Sequence, residues 1–237
     1  KYIFSIDHKI IGIQYGITAL LFMFFGFFLM LVMRWQLAFP DQAVPILGGL
    51  IKWLSDLNGF ASDGNLPADL YNVFGAMHGT IMIFLGVVPL VVGAFGNYLV
   101  PLQVGAPDMA FPKLNMASYW VYFIGGVIMF ASFFLPGGAA NSGWTSYPPL
   151  ADIATTGQTY WLLGMIFLIT SSLLGSINII VTIVQLRAPG LTWMRLPFFV
   201  WSQLVTSFLL VLAFPPLEAA GIFQLMDRVL DTSFFLP

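Results

Sequence analysis

The chain has 237 residues, 59% hydrophobic and 16% aromatic, with only 8% charged; a soluble domain of this length does not show that balance, so lipid is the solvent of most of it. A formal charge of -2 spread over such a length offers no basic stripe, which excludes nucleic acid as a partner. There is no cysteine and there are only two histidines, His8 and His78. Disulfides, thiolate metal sites and cysteine nucleophiles are thereby excluded, and any metal or cofactor must be held by His, Met, Tyr or carboxylates.

In chain order, the polar cluster Asp7, His8 and Lys9 suits a helix entry, with His8 expected in solvent. The apolar run 11–33 follows, longer than a signal-peptide core and long enough to cross a bilayer. Residues 35–70 form the one long connection and are expected to fold over the surface. Four more apolar runs come at 72–100, 119–135, 160–184 and 197–226. All read as helix, because lipid tolerates no unpaired backbone groups and the runs are too long and uniform for barrel strands. The fold class predicted is therefore all-α: a polytopic transmembrane helix bundle with five spans, forming a single transmembrane domain over 1–237. Pro215 and Pro216 near the middle of the last run predict a kink whose freed carbonyls neighbours satisfy. The chain opens on Lys1 and stops at Pro237 without a capping segment, so both ends are expected to be cut points.

Lys and Arg accumulate on cytoplasmic flanks. Lys1 and Lys9, the Lys113 loop, and the Arg187 and Arg195 loop alternate onto one side, against Asp41, Asp56, Asp63, Asp69 and Asp152 with Lys52, Arg34 and Arg228 on the other. That pattern places the N-terminus inside.

Ionisable or ligating residues inside a span are costly and mark function by default. His78 lies about six residues inside the second run, roughly 9 Å from its outer end. Gly79, Gly86 and Gly93 recur every seven residues beside it, a smooth ridge suited to a helix or a flat macrocycle. Two readings stand: an axial haem ligand, or a buried His bonded to a neighbour's hydroxyl or carbonyl. On the inner side Asp108, Asn97 and Asn115 group one carboxylate with two amides, a set able to collect protons, and about 28 Å of helix separates Asn97 from His78. Ser171, Gly175 and Asn178 share a face of the fourth run, with Ser172 and Ser176 alongside, either as a proton route or as polar glue between helices. Arg34, at the end of the first run, either snorkels to headgroups or donates to a cofactor substituent. Trp144 and Tyr147 suit an aromatic belt.

Specific strings go further. Tyr71-Asn72-Val73 leading to His78, GNYLVPL at 96–102, GAPDMAFP at 105–112, GWTSYPPL at 143–150 and Asp227-Arg228, with 5–15 and 197–201, resemble cytochrome c oxidase subunit I of the haem–copper oxidase superfamily, in order and over nearly the whole chain. The resemblance implies the first five spans of a subunit of about twelve. It implies that His78 is an axial ligand of the low-spin haem a iron and that Arg34 bonds that haem's formyl group. It further implies that Asp108, Asn97 and Asn115 form the mouth of the D proton channel, that Tyr15, Ser118, Ser171, Ser172 and Asn178 line it, and that Trp144 and Tyr147 lie near the haems.

The oxygen-binding haem, copper B and the catalytic residues are expected from the remainder of the subunit, so no catalytic residue is assigned here. The partners implied are that remainder, oxidase subunits II and III, cytochrome c or another respiratory complex as electron donor, and lipid, in a bacterial cytoplasmic membrane. Phe25, Leu29, Leu70 and Val73 stand where quinol-oxidising relatives carry polar groups, which favours cytochrome c. Gln36 replaces an acid of the family's outer cation site, so no calcium is expected. The rival readings are a nitric oxide reductase relative, disfavoured by Asp108 with Asn97 and Asn115, and a cofactor-free membrane transporter or structural subunit.

Overall fold

A computed structural model describes residues 2–235; Lys1 and Pro237, named above, lie outside the described residues. Helix α1 (His8–Ala38) starts where the Asp7 carboxylate accepts from the Lys9 amide at 2.8 Å. A surface helix α2 (Gly48–Asn58) ends on Gly59 in the left-handed region, φ 81°. It belongs to the connection that the sequence places over the surface.

The second span is composite: α3 (Ala68–Thr80), π-helical turns at Ile81–Val87 and Pro89–Gly96, then α4 (Asn97–Val104). Helix α5 (Pro112–Ala131) with a 3-10 tail at Ser132–Phe134, a short α6 (Leu150–Ile153), α7 (Thr156–Gln185) and α8 (Phe198–Leu230) complete the chain. Five helical segments are long and apolar enough to cross a membrane: His8–Ala38, Ala68–Val104, Pro112–Phe134, Thr156–Gln185 and Phe198–Leu230. They extend past the apolar runs because a helix, once nucleated, continues through helix-compatible polar flanks.

The prolines of the second span have an identifiable consequence. Proline cannot donate to the carbonyl four residues back. In the π-helical turns around Pro89 the buried Tyr122 hydroxyl donates to the Leu85 carbonyl at 2.7 Å. Pro101 frees the Asn97 carbonyl, and His8 Nδ1 lies 2.9 Å from it. His8 is therefore not in solvent as its neighbours suggested; it is 3% exposed, because the second span offers it an orphaned acceptor. At Pro215 and Pro216 the expected repair is absent: α8 runs on as one helix, and among the described residues no side chain donates to the Val211 and Leu212 carbonyls.

Helix α1 packs along the second span, and α5, α7 and α8 pack side by side in that order. Two clusters fill the interior, a large one from Ile11 to Ile169 and a smaller one under Val100, Val104, Ile183 and Val200. Large apolar side chains such as Leu21 and Phe24 on α1 and Leu209 and Leu212 on α8 point outward, the arrangement expected where lipid or further helices are the surroundings. Because consecutive spans alternate, Lys9, Lys113, Arg187 and Arg195 gather at the face where α1 begins, called here the N-terminal face. The far face carries α2, α6 and the loop 136–149.

Candidate functional site

Toward the far face, His78 sits in the last turn of α3, half-buried, with Nδ1 2.8 Å from the Gly26 carbonyl of α1. A carbonyl can only accept, so Nδ1 carries the proton and Nε2 keeps its lone pair. Among the described residues Nε2 has no hydrogen-bond partner, and it is not sealed in the core. That is the state in which an imidazole ligates a metal, its other N–H being held by a backbone acceptor. The bland reading, a His bonded to a neighbour's hydroxyl or carbonyl, holds for Nδ1 and leaves Nε2 unaccounted for.

The glycine ridge beside it divides into two kinds. A Cβ at Gly93 would lie 2.6 Å from Tyr15 Cδ1, and one at Gly86 would strike Met23 Cγ, so these two are helix-packing positions filled by α1. At Gly79, beside His78, the nearest atom is Trp144 Cδ1 at 3.8 Å, and the surface stays flat. Trp144 and Tyr147 are exposed and, with Phe84, Trp161, Met165 and Gly221, line a cavity of about 390 Å³. Arg34 lies exposed in the last turns of α1. Gln36 is occupied elsewhere, its Oε1 accepting from the Leu66 amide at 2.8 Å. Among the described residues no three His, Cys, Asp or Glu side chains converge as a metal site.

The Trp144 loop is held by polar groups that sequence reasoning did not single out. Gln158 and Gln224, 0% and 5% exposed, clamp Ser146: Gln158 Nε2 donates to Ser146 Oγ at 2.8 Å, Ser146 Oγ to Gln224 Oε1 at 2.6 Å, and Gln224 Nε2 to the Ser146 carbonyl at 2.9 Å. Below them Arg228 donates to the carbonyls of Ala151, Asp152, Ala154 and Thr155 over 2.6–3.0 Å and thus caps α6. Burial, and then the Asp227 carboxylate, push the Asp152 carboxyl up from its ordinary value, while Arg228 pulls it down.

Nearer the N-terminal face the residues assigned to a proton path separate into a knot and its outliers. Tyr15 Oη donates to Ser118 Oγ at 3.1 Å, Ser118 Oγ to the Asn115 carbonyl at 2.7 Å, and Ser171 Oγ to the Ser118 carbonyl at 2.6 Å. Tyr15, Asn97, Ser171 and Ser172 share a cavity of about 30 Å³, room for one or two water molecules at roughly 10–15 Å³ each. Asn97 Oδ1 and both amide atoms of Asn115 are buried without partners among the described residues. Asn178 is elsewhere engaged: its Oδ1 accepts from the Phe111 amide at 2.9 Å and its Nδ2 donates to the Phe111 carbonyl at 3.2 Å. Asp108 is half-buried in the loop between α4 and α5, its carboxylate accepting from the Met109 amide at 2.7 Å, and it touches neither Asn97 nor Asn115 by hydrogen bond.

Comparison with known proteins agrees with the strings noted in the sequence. The chain is 46% identical to "Cytochrome c oxidase subunit 1" of Thermostichus vulcanus over 99% of its own length and 38% of the relative's. It is 42% identical to the protein of that name from Bacillus sp., over 100% and 35% of the two chains. It is 41% identical to "Heme-copper oxidase subunit I+III" of Aeropyrum pernix, over 100% and 27%. The chain thus spans well under half the length of these relatives. The family described as Cytochrome C and Quinol oxidase polypeptide I matches residues 10–237, and with the five membrane-crossing helices and these identities the chain belongs to that family.

Proposed function

We propose that this chain forms the first five spans of the catalytic subunit of a proton-pumping terminal oxidase, an enzyme that reduces O2 to water with electrons from cytochrome c. Its own share is to ligate a low-spin haem a through His78 and to admit protons past Asp108. The N-terminal face would then be the inner one, where Lys9, Lys113, Arg187 and Arg195 gather.

The observation that carries the reading is the His78 Nδ1 contact with Gly26 O at 2.8 Å, which leaves Nε2 as a free donor of electrons to iron. When bound, the haem supplies one-electron transfer, which no side chain here provides. Gly79 leaves the flat surface such a ring needs, and Arg34, exposed near the end of α1, would donate to its formyl group. Trp144, packed over Gly79, would shield the ring's edge from water. Tyr15, Ser118 and Ser171 pass on a proton only if water fills the cavity that Tyr15 and Ser171 line with Ser172 and Asn97, because their own hydroxyl protons are already committed. The orphaned amide oxygen of Asn97, which lines that cavity, offers such water a partner. In this reading Asn178 closes the Phe111 turn beside the mouth rather than lining the path.

The test is a visible spectrum of the complete complex. A haem a band supports the reading, and a colourless preparation that keeps its fold gives the place to the cofactor-free transporter.

A further inference from the structure

One carboxylate has no part in either site. Glu218 lies inside α8, half-buried, 12 residues before the helix ends at Leu230, or about 18 Å along the axis. Its partner across the α7–α8 interface is Thr170, at the middle of α7, whose Oγ1 is 2.5 Å from Glu218 Oε1. Thr170 Oγ1 also lies 2.8 Å from the Ile166 carbonyl one turn earlier.

A threonine hydroxyl has one proton. If Thr170 gives it to Ile166, the contact with Glu218 is a hydrogen bond only when Glu218 is the donor, that is, a neutral carboxylic acid. The surroundings among the described residues agree. An ionised carboxylate in hydrocarbon needs a cation or several donors. Helix α7 carries no Asp, Glu, Lys, Arg or His at all, and α4, which also touches α8, carries none. The other charged groups of α8 are Asp227 and Arg228, nine and ten residues on, about 13–15 Å away along the axis. Arg228 is moreover committed to the α6 carbonyls, and Asp227 to Thr232, Phe234 and Phe235. Asp152, the nearest acid of α6, sits by Arg228 at the helix end.

We propose that Glu218 is an intramembrane proton-binding site. It holds a proton at rest as Glu218–OH donating to Thr170, whose hydroxyl in turn donates to Ile166. On release the proton leaves the carboxyl oxygen for water, and the Thr170 hydroxyl rotates from the Ile166 carbonyl to the carboxylate, which therefore keeps one donor. Ile166 loses nothing essential, since the Thr170 backbone amide remains its helical partner. Ile166, Leu217, Ala220 and Gly221, which bracket the pair, also line the cavity beneath Trp144 and Tyr147, so that cavity is the exit open to the proton. The site lies on the opposite side of α7's contacts from Ser171, which faces Tyr15 and Ser118. It is thus separate from the hydroxyl knot.

The test is infrared spectroscopy of the complete oxidase complex at neutral and alkaline pH, in H2O and D2O. Wild type is expected to show a protonated-carboxyl carbonyl band that shifts in D2O. Glu218→Gln should remove that band while the haem spectrum stays unchanged, because an amide can replace the acid as donor to Thr170. Thr170→Val should move it to higher frequency by removing its acceptor. A carboxyl region identical in wild type and Glu218→Gln overturns the proposal, and where that variant fails to assemble, an unmoved band in Thr170→Val does so. The band does not depend on His78, so a missing haem would refute the oxidase reading and leave this result standing.

Discussion

At the far face one imidazole is tied by a single backbone carbonyl and left open on its other nitrogen, whereas toward the N-terminal face three hydroxyls are tied to each other and to backbone until no proton is spare. Both arrangements use buried polar groups in a lipid-facing bundle, yet they leave opposite remainders. Around His78 the remainder is a lone pair and a flat glycine surface, fit to receive a group from outside the chain. Around Tyr15 the remainder is the orphaned Asn97 amide oxygen at a cavity of water size, fit to receive solvent, with both Asn115 amide atoms also unpaired among the described residues. A polar group left unpaired in lipid is costly, so what each region lacks indicates what it takes.

The contrast breaks most sharply at His78. His78→Ala should abolish low-spin haem in the complete complex, since the other histidine, His8, is committed to the Asn97 carbonyl at the opposite face; normal haem content in a reduced-minus-oxidised spectrum would refute the ligand assignment. Asp108→Asn tests the other region: proton uptake measured in vesicles should slow several-fold with haem spectra intact, because Asp108 is a half-exposed carboxylate in the loop between α4 and α5 at the N-terminal face. Equal uptake would mean that the knot is glue.

Two further changes probe the scaffold. A Cβ at Gly157 would meet the Ala139 backbone at 2.8 Å; backbone cannot give way as a side chain can, so Gly157→Ala should cost about 3 kcal/mol. It should lower the thermal midpoint and loosen the Trp144 loop without touching the N-terminal face. Tyr122→Phe should cost about 1–3 kcal/mol, the desolvation cost of an unsatisfied group, by removing the hydroxyl donor from the Leu85 carbonyl. An unchanged midpoint in Tyr122→Phe would show that the π-helical turns repair that carbonyl themselves.

The amino-acid sequence alone determined the class of molecule and the number of spans, because twenty-odd consecutive apolar residues have one stable form in lipid. It also singled out His78, since a titratable residue within such a run stands against its background. Glu218 meets the same rule but was not singled out, and its partner Thr170, 48 residues away, cannot be paired with it from the string. What Pro101 does could be read only halfway: proline announces that a carbonyl four residues back is free, but not that His8 fills the gap. The heptad of glycines looked uniform and is not, for Gly86 and Gly93 admit side chains of α1 while Gly79 stays open. Asn178 had the spacing of a channel residue and turned out to hold the Phe111 backbone. Spacing along one helix fixes which face a residue occupies; which neighbour meets that face is set by how helices pack, and that is decided only in three dimensions.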